Sequence, residues 1–354
     1  MKILVTGAAG FIGAHICLRL LRDGHQVLGL DNYNSYYDPA LKHARVQWVR
    51  DQAGDLDLRC MDLCDREGMA GLFAQERPQV VVHLAAQAGV RYSLHNPQAY
   101  IDSNLNGFLN VLEGCRHHPV DHLLYASSSS VYGASQRLPY RVEDSVDHPL
   151  SLYAATKKAN EAMAHCYSHL FGIPCSGLRF FTVYGPWGRP DMSPMQFARS
   201  ITEGKPVQLF NHGHHRRDFT YIDDIIEGLV RLVPRAPSAN ADWRADAPDP
   251  GTSSAPWRLL NIGGQQPVAL RDYLALLEHH LQRKALIELH PLQPGDVLAT
   301  SADSSALAQL TGFVPQVSLD EGLGRFVDWF REYYPSWAGK PRPQDQQPQQ
   351  RRVL

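Results

Sequence analysis

A glycine-rich segment near the start of the chain constrains the fold more than any other feature. It follows an apolar run at Ile3–Val5 and leads directly into a helical period at Ile12–Arg22. Its glycines suit a tight turn at Gly7, close approach of the backbone to a pyrophosphate at Gly10, and close packing of a helix on a strand at Gly13. The helix start also presents free N–H groups to an anion. The segment therefore predicts a dinucleotide site.

The first half of the chain repeats this alternation of a short apolar run and a longer helical period. Further strands are predicted at Gln26–Leu30, Val80–His83, His122–Ala126 and Cys175–Arg179. Further helices are predicted at Arg66–Gln75, Gln98–Cys115 and Leu152–Phe171. The middle strands are nearly continuous apolar runs, which is typical of a parallel sheet buried on both faces. The pattern predicts an α/β protein with a Rossmann-type, doubly wound parallel sheet.

Changes of pattern divide the chain into regions. We expect residues 1–185 to form the nucleotide-binding domain, joined by a strand that returns around residues 258–264. Residues 186–335, with shorter elements, are expected to form a smaller C-terminal α/β lobe that binds the substrate. Residues 235–256 are rich in Ala, Pro, Asp and Ser, and a surface excursion is favoured there over an active-site lid. Residues 340–354 contain five Gln and three Pro and are predicted to be disordered.

Composition and charge exclude several classes of protein. Lys and Arg total 34 against 36 for Asp and Glu, so the net charge of -2 provides no field for wrapping nucleic acid. The six cysteines lack paired metal or redox spacing, and reduced thiols are expected. No apolar run approaches the ~18 residues of a membrane span, and the first one is too short for a signal-peptide core. A cytoplasmic protein with neither nucleic acid nor membrane as a partner is expected.

Two aspartates bear on the cofactor. Asp31 closes the second predicted strand, 18 residues after Gly13, where a carboxylate accepts hydrogen bonds from an adenosine ribose and repels a 2′-phosphate. This favours NAD over NADP. The alternative is that Asp31 merely begins the polar loop 32–38. Asp62 could contact the adenine edge, although an ordinary loop aspartate is nearly as good an interpretation.

A tyrosine and a lysine four residues apart indicate acid–base chemistry. Tyr153 and Lys157 share one face of the predicted helix, and an ammonium there can lower the pKa of the phenol from about 10. The phenolate could then take a proton from a substrate hydroxyl. The serine run 127–130 ends the preceding predicted strand, where open α/β sheets bind their ligands. The two features together predict a catalytic site.

These features resemble the extended short-chain dehydrogenase/reductase superfamily over nearly the whole chain. Three segments, Ala85–Ser93, Thr182–Met192 and Arg217–Asp224, are similar in particular to the bacterial UDP-glucuronate 4-epimerases. The resemblance implies reversible, NAD-dependent conversion of UDP-glucuronate to UDP-galacturonate through a 4-keto intermediate.

The resemblance also implies residue roles. Tyr153 would be the base for the C4 hydroxyl, Lys157 would bind the nicotinamide ribose and lower the pKa of Tyr153, and Ser128 would bond O4 with Ser130 close by. The implied cofactor contacts are Gly7, Gly10, Phe11, Ile12, Gly13, Asp31, Asn32, Asp62, Leu63, Ala85, Ala86, Gln87, Asn104, Tyr153 and Lys157. The implied substrate contacts are Arg91, Ser128, Thr182, Arg189, Asn211, Arg217 and Asp296.

Among the implied substrate contacts, Arg189 is the first candidate for the uronate carboxylate, and Arg91 and Thr182 are further candidates near the sugar. A surface arginine in a Gly/Pro turn is the alternative for Arg189. Arg217 would bind the diphosphate and Asp296 the uridine ribose.

Other functions stay open at the sequence level. Related dehydratases and decarboxylases carry a glutamate just before the Val-Tyr-Gly found here at 131–133, whereas this chain has serines at 128–130, which favours epimerisation. A UDP-hexose 4-epimerase, a UDP-glucuronate decarboxylase and an NAD-sensing regulator are the alternatives. The histidines at 212, 214 and 215 favour a solvated loop over a metal site, so no metal is expected.

A stripe of apolar residues raises the possibility of self-association. Together with the helix that carries Tyr153, it resembles the pair of helices that forms a dimer interface in the family. Burial of the stripe within one subunit is the alternative explanation. The resemblance implies a homodimer, which is the expectation. The stripe comprises Ile101, Leu105, Phe108, Leu109 and Leu112.

Overall fold

The computed structural model describes residues 1–293 and 295–334. The disorder predicted for residues 340–354, and residue 335 at the end of the expected lobe, lie outside the described residues.

Twelve strands and eleven α-helices are found in the described part of the chain. The strands are β1 Lys2–Thr6, β2 Gln26–Asp31, β3 Asp57–Cys60, β4 Val80–His83, β5 His122–Ser128, β6 Cys175–Phe180, β7 Thr182–Tyr184, β8 Pro206–Leu209, β9 Arg216–Tyr221, β10 Trp257–Ile262, β11 Pro267–Ala269 and β12 Leu286–Leu289. The helices are α1 Phe11–Arg22, α2 Pro39–Ala53, α3 Arg66–Glu76, α4 Pro97–Tyr100, α5 Gly107–His117, α6 Leu152–Phe171, α7 Ser193–Glu203, α8 Ile222–Leu232, α9 Leu270–Leu281, α10 Ser305–Thr311 and α11 Leu319–Tyr333.

Seven strands form one parallel sheet in the order β10-β6-β5-β4-β1-β2-β3. Successive residues of β1 enter different cores: Ile3 and Val5 pack with helix α1, and Leu4 packs with helices α3 and α5. Both faces of the sheet are therefore buried by helices. This arrangement confirms the predicted Rossmann-type fold. Strand β10 returns from the second part of the chain to pair with β6.

Helix α2 and strand β3 are absent from the sequence-based predictions. Strand β3 lies at the edge of the sheet and is largely exposed, so it lacks an apolar run. Helix α2 buries the charged side chains Lys42 and Arg45 beside its apolar ones, which hides the usual apolar period. Its start is signalled locally, because the Asp38 side chain accepts a hydrogen bond from Ala40 N and Pro39 occupies the first turn.

The helix predicted at 98–115 is interrupted in the structure. A π-helical segment, Ile101–Asn106, separates α4 from α5. The carbonyl of Asn104 in this segment accepts a 2.6 Å hydrogen bond from Asn160 Nδ2 on helix α6. The wider turn thus ties this helix to the helix that carries Tyr153.

Shorter elements make up much of the second part of the chain. Strands β7, β9 and β11 form one small sheet, and β8 pairs with β12. Most residues of the loop 235–256 are exposed, and the loop is held against α6 by a 2.8 Å hydrogen bond between His165 Nε2 and Ser253 Oγ. Within residues 1–293 and 295–334, helices long and apolar enough to cross a membrane are not found.

Candidate active site

A cavity of about 380 Å³ opens at the carboxyl ends of the parallel strands. Its wall is formed by the glycine-rich segment, the ends of β2, β4 and β5, the start of α6, and the segment around β7. The structure brings most of the predicted site residues together in this wall. These are Gly7, Gly10, Phe11, Ile12, Gly13, Asp31, Asn32, Asp62, Leu63, Ala85, Ala86, Gln87, Ser128, Ser130, Tyr153, Lys157, Thr182 and Arg189.

The glycine-rich segment has no room for side chains at its three glycines, and a Cβ on Gly10 would lie 2.9 Å from Gly7 O. Gly7 has a φ of 71°, and a Cβ there would lie 2.8 Å from Ala85 N. A Cβ on Gly13 would lie 1.9 Å from Gly7 O, so helix α1 packs directly on the turn. Gly10 caps α1, and its N–H bonds Gly7 O at 2.9 Å. The first turn of α1 lines the cavity, as a phosphate cradle requires.

Asp31 ends strand β2 and braces this cradle. Its carboxylate accepts hydrogen bonds from Ala9 N at 3.2 Å and from Tyr33 N at 2.9 Å. Lys42 Nζ lies 3.6 Å from the same carboxylate, and both side chains are largely buried. The negative charge of Asp31 is thus partly compensated within the protein, an effect that sequence reasoning missed because helix α2 was not predicted.

Asp62 and Asn32 are coupled at the rim of the cofactor end. Asn32 Nδ2 donates to Asp62 Oδ2 at 2.7 Å, and Cys64 N donates to Asp62 Oδ1 at 2.8 Å. Partial burial raises the pKa of Asp62, but these hydrogen bonds outweigh burial and lower it. The carboxylate is therefore kept ionised as an acceptor.

Tyr153 lies at the first turn of α6, whose start is capped by Ser151 Oγ accepting from Ala154 N at 3.1 Å. Burial raises the pKa of Tyr153, while a hydrogen bond with Ser128 and the positive charge of Arg189 oppose the rise. Ser128 ends strand β5, and its Oγ also accepts from Ser130 N at 3.2 Å. Ser128 and Arg189 therefore both favour the ionised form of Tyr153, and all three residues line the cavity.

Lys157 lies one turn further along α6. Its ammonium donates to Ala126 O at 2.9 Å, and burial lowers its pKa to about 8 while Glu161 opposes that shift. The groups that oppose the rise in the pKa of Tyr153 in this structure are Ser128 and Arg189, and the role of Lys157 in lowering that pKa stays a prediction. The ammonium of Lys157 is turned toward the end of β5 and is strongly desolvated.

A buried ion pair supports the catalytic face from behind. Glu161 lies two turns after Tyr153 on helix α6. Its carboxylate accepts two hydrogen bonds from Arg179, from Nε to Oε1 at 2.9 Å and from Nη2 to Oε2 at 3.0 Å. Ser127 Oγ donates to the same carboxylate at 2.6 Å. Because Ser127 precedes Ser128 and Glu161 shares a helix face with Lys157, this network locks strand β5, strand β6 and helix α6 together. Sequence reasoning missed it, although the spacing 153, 157 and 161 was a usable signal.

Arg189 already has a partner. Its guanidinium is bidentate on Asp191, with Nε to Oδ1 at 3.0 Å, and Tyr36 Oη donates to Asp191 Oδ2 at 3.0 Å. Burial disfavours the charged guanidinium, but Asp191 outweighs burial and raises the pKa of Arg189. Asp191 and Tyr36 were not predicted as site residues.

Five predicted residues lie outside the cavity wall. Three of them, Arg91, Arg217 and Asp296, are close to one another. Arg91 Nη2 is 3.3 Å from Asp296 Oδ2, and its guanidinium stacks 4.7 Å above the Phe210 ring. Burial lowers the pKa of Arg217. The negative charge of Asp296 opposes this shift, and the positive charge of Arg91 adds to it. Asn211 directly follows Phe210 with a φ of 50°. Val90, which lines the cavity, lies next to this group, because a Cβ on Gly295 would lie 3.6 Å from Val90 Cγ1.

Asn104 also lies behind the wall rather than in it. Its Nδ2 donates to Gln87 O and to Thr156 Oγ1, both at 3.0 Å, and its Oδ1 accepts from Gln87 N at 2.8 Å. The Asn104 side chain is buried. It contacts Gln87, which lines the cavity, and so holds that part of the wall in place.

The comparisons with known proteins agree with this geometry. A model of the NAD dependent epimerase/dehydratase family matches residues 3–242. The chain belongs to this family. Within the described residues of this epimerase/dehydratase family member, histidine, cysteine, aspartate and glutamate do not form groups of three or more that could hold a metal ion.

Within this family, the chain is similar to relatives and to solved structures that are named UDP-glucuronate 4-epimerases. The probable UDP-glucuronate 4-epimerase of Rhizobium meliloti (strain 1021) is 45% identical over 335 residues, covering 94% of this chain and 98% of the relative. UDP-glucuronate 4-epimerase 3 of Arabidopsis thaliana is 44% identical over 338 residues, covering 94% of this chain and 77% of the relative. The crystal structure of the UDP-glucuronic acid 4-epimerase from Bacillus cereus, in complex with UDP-glucuronic acid and NAD, matches with a TM-score of 0.81 and 34% identity, covering 94% of this chain and 100% of that one. The resemblance predicted for this family member from its sequence is therefore confirmed.

Proposed function

We propose that this chain is an NAD-dependent isomerase that interconverts UDP-glucuronate and UDP-galacturonate by epimerisation at C4. The observation that carries the proposal is the meeting of Tyr153, Ser128, Lys157 and Arg189 in one cavity that begins at the glycine-rich cradle. The likeness to UDP-glucuronate 4-epimerases supports the choice of substrate.

The described residues fit NAD. The cradle at Gly7 and Gly13 is too tight for any Cβ, and the first turn of α1 faces the cavity, which suits a pyrophosphate. Asp31 and Asn32 would hold the adenosine ribose, and Lys157 the nicotinamide ribose. When bound, NAD supplies a hydride acceptor for C4 of the sugar.

The protein's own part in the reaction is proton transfer and orientation. Tyr153 would take the proton of the C4 hydroxyl in its ionised form, which Ser128 and Arg189 favour against the effect of burial. It would return the proton when the 4-keto sugar is reduced on its other face. Ser128 Oγ would hydrogen-bond the sugar O4 and hold it against Tyr153. Lys157, fixed by Ala126 O, would keep the cofactor ribose beside the sugar.

The second cluster suits the nucleotide end of the substrate. Arg91 and Arg217 share one carboxylate, Asp296, so the cluster keeps a net positive charge that a diphosphate can neutralise. Phe210 beneath the Arg91 guanidinium offers an aromatic face near this end. We place the diphosphate at the two arginines and the uridine ribose at Asp296.

The cavity chemistry favours epimerisation over elimination or decarboxylation. Loss of water from a 4-keto sugar needs an acid or base beside C5 and C6. The carboxylates in the described cavity wall are Asp31 and Asp62, both at the cofactor end, whereas serines occupy the positions before Val131. A 4-keto uronate held here would therefore keep its carboxyl group and accept hydride back.

The experiment is to incubate the purified protein with UDP-glucuronate and to identify products by NMR. UDP-galacturonate is expected; UDP-xylose, or turnover of UDP-glucose alone, would contradict the proposal. Tyr153→Phe is expected to lower kcat at least ~100-fold while bound NAD is retained. Tyr167→Phe is the matched control, because it removes from the same helix a hydroxyl that bonds Glu113 away from the cavity, and its kcat should stay unchanged.

We also propose a homodimer formed by helices α5 and α6. Phe108 and Leu112 are buried within the subunit, but Leu109 on α5 is 39% exposed, and Leu170 and Phe171 at the end of α6 are 62% and 40% exposed. Burying these side chains in a second copy would remove an apolar surface from water. Light scattering should give twice the mass of one chain, and Leu109→Glu should halve it; a monomeric wild type would contradict the proposal.

We propose the cytoplasm as the location. All six cysteines are free, and Cys17, Cys115 and Cys175 are buried thiols, which suits a reducing compartment. Cell fractionation with an antibody against the chain tests this, and recovery in an exported fraction would contradict it.

A further inference from the structure

Arg189 is held in one orientation by Asp191. Two parallel hydrogen bonds, from Nε to Oδ1 and from Nη2 to Oδ2, occupy one edge of the guanidinium. Both side chains are about three-quarters buried. Of the five N–H donors of an arginine, this pair uses two, and three remain on Nη1 and Nη2. Arg189 lines the cavity together with Tyr153 and Thr182, and Tyr36 is a further neighbour of its guanidinium, so donors that neither Asp191 nor Tyr36 uses are available to the sugar site.

Asp191 is in turn held by a residue from the cofactor side of the molecule. Tyr36 lies after strand β2, and its Oη donates to Asp191 Oδ2 at 3.0 Å across 155 positions of sequence. The Tyr36 ring packs on Tyr92 with centroids 4.8 Å apart. Gly89, with a φ of 100°, makes room for the contact, because a Cβ there would lie 2.8 Å from Tyr36 Oη. The aspartate is therefore anchored from outside its own loop.

We propose that Asp191, anchored by Tyr36, is a positioning residue that aims the free donors of Arg189 at the carboxylate of a bound uronate and so keeps the oxidised sugar from losing CO2. The inference rests on the proposed function. Asp191 does not touch the sugar; it acts through Arg189.

The orientation of the Arg189 donors matters because the oxidised sugar can lose its carboxyl group. Once C4 is oxidised and the cofactor is reduced, the C6 carboxylate stands β to a ketone. Breaking the C5–C6 bond would release CO2, move the bonding electron pair into the enolate of C4, and require a proton at C5. The products would be a UDP-4-keto-pentose, CO2 and a cofactor left in its reduced form. Charge-assisted hydrogen bonds to the carboxylate stabilise the intact acid and oppose this cleavage.

The test compares product partition in Asp191→Asn and wild type. Both are given UDP-glucuronate, and released CO2, UDP-galacturonate and the near-ultraviolet absorbance of enzyme-bound NADH are measured. In Asp191→Asn the ratio of CO2 to UDP-galacturonate is expected to rise about tenfold, as for the loss of a charged hydrogen bond, with NADH accumulating. Asp191→Glu should return part of the way to wild type.

The chain contains a matched control. Arg244 and Asp246 have the same spacing and the same bidentate contact, at 3.0 and 2.7 Å, but are exposed. Asp246→Asn should leave the partition unchanged. Tyr36→Phe keeps the Arg189–Asp191 pair and removes the hydroxyl that anchors Asp191, so it should shift the partition in the same direction by less. It also keeps the test open if Asp191→Asn fails to fold.

The outcomes separate the two proposals. Epimerisation by the wild type with an unchanged partition in both Asp191→Asn and Tyr36→Phe would overturn the positioning role alone, as would an equal shift in Asp246→Asn. A wild type that does not epimerise UDP-glucuronate would overturn the proposed function, and this inference with it.

Discussion

Replacing Lys157 with methionine is expected to stabilise the protein while abolishing catalysis. The Lys157 side chain is 2% exposed, and burial lowers its pKa from 10.5 to about 8, with Glu161 opposing the shift. At about 1.4 kcal/mol for each pH unit, the buried ammonium costs the folded protein roughly 3 kcal/mol at neutral pH. Methionine has a similar length and no charge, but it loses the hydrogen bond to Ala126 O, worth about 1 kcal/mol. The net gain is about 2 kcal/mol.

The same pKa gives the sign of the pH dependence. Below pH 8, Lys157 is protonated in both the folded and the unfolded chain, so the cost is constant. Between pH 8 and 10.5 the folded protein releases its proton before the unfolded chain does, so the wild type gains stability as the pH rises. Methionine has no such proton. The advantage of the variant should therefore shrink by roughly 2 kcal/mol by about pH 9.5.

Urea unfolding of nucleotide-free protein at several pH values measures this difference. Lys158→Met is the matched control, because Lys158 is the next residue of the same helix and lies at the surface, 3.9 Å from Asp147. It should change the free energy of unfolding by less than ~0.5 kcal/mol. A Lys157→Met variant that is less stable than wild type at neutral pH, or whose advantage does not vary with pH, would refute the reasoning.

Further variants test other parts of the site. Gly13→Ala should displace helix α1 and yield protein without bound NAD, whereas Gly71→Ala, in a helix with open space around the Cβ, should retain it; an ultraviolet spectrum after purification decides. Glu161→Gln should cost about 3 kcal/mol in urea unfolding because Arg179 is left buried without its partner, and a loss below ~1 kcal/mol would contradict this. Asp31→Asn should reduce the preference for NAD over NADP about tenfold in titrations of both cofactors, and an unchanged preference would show that the carboxylate charge does not select.

The sequence predicted elements whose cues are local. Helix α6 was predicted at Leu152–Phe171 and is observed with the same bounds, because a serine caps its start and Gly172 ends it with a φ of 69°. Helix α2 is not predicted because its buried face includes Lys42 and Arg45, whose partners lie outside the helix and include Asp31 for Lys42 and Trp187 O for Arg45. Helix propensity and apolar periodicity depend on neighbouring residues, so they do not predict partners that the fold brings to a buried charge.

The candidate site also contains residues that local sequence cues predict and contacts that only the folded structure shows. Residues at strand ends, such as Asp31 and Ser128, were predictable because parallel strands deliver their carboxyl ends to one edge of the sheet. The contact between Tyr36 and Asp191 joins segments far apart in the chain, so only the fold reveals it. The direction of the Lys157 ammonium depends on the carbonyl that it meets, and the four-residue spacing from Tyr153 does not specify that carbonyl.

The measurement that tests the central claim most directly follows the hydrogen at C4. UDP-glucuronate labelled with deuterium at C4 is incubated with the protein in ordinary water, and the product is examined by NMR and mass spectrometry. If C4 is oxidised and reduced within one site, UDP-galacturonate should carry the deuterium at C4 in the opposite configuration, without dilution by solvent. Loss of the label to solvent, or a product without its carboxyl group, would contradict the account.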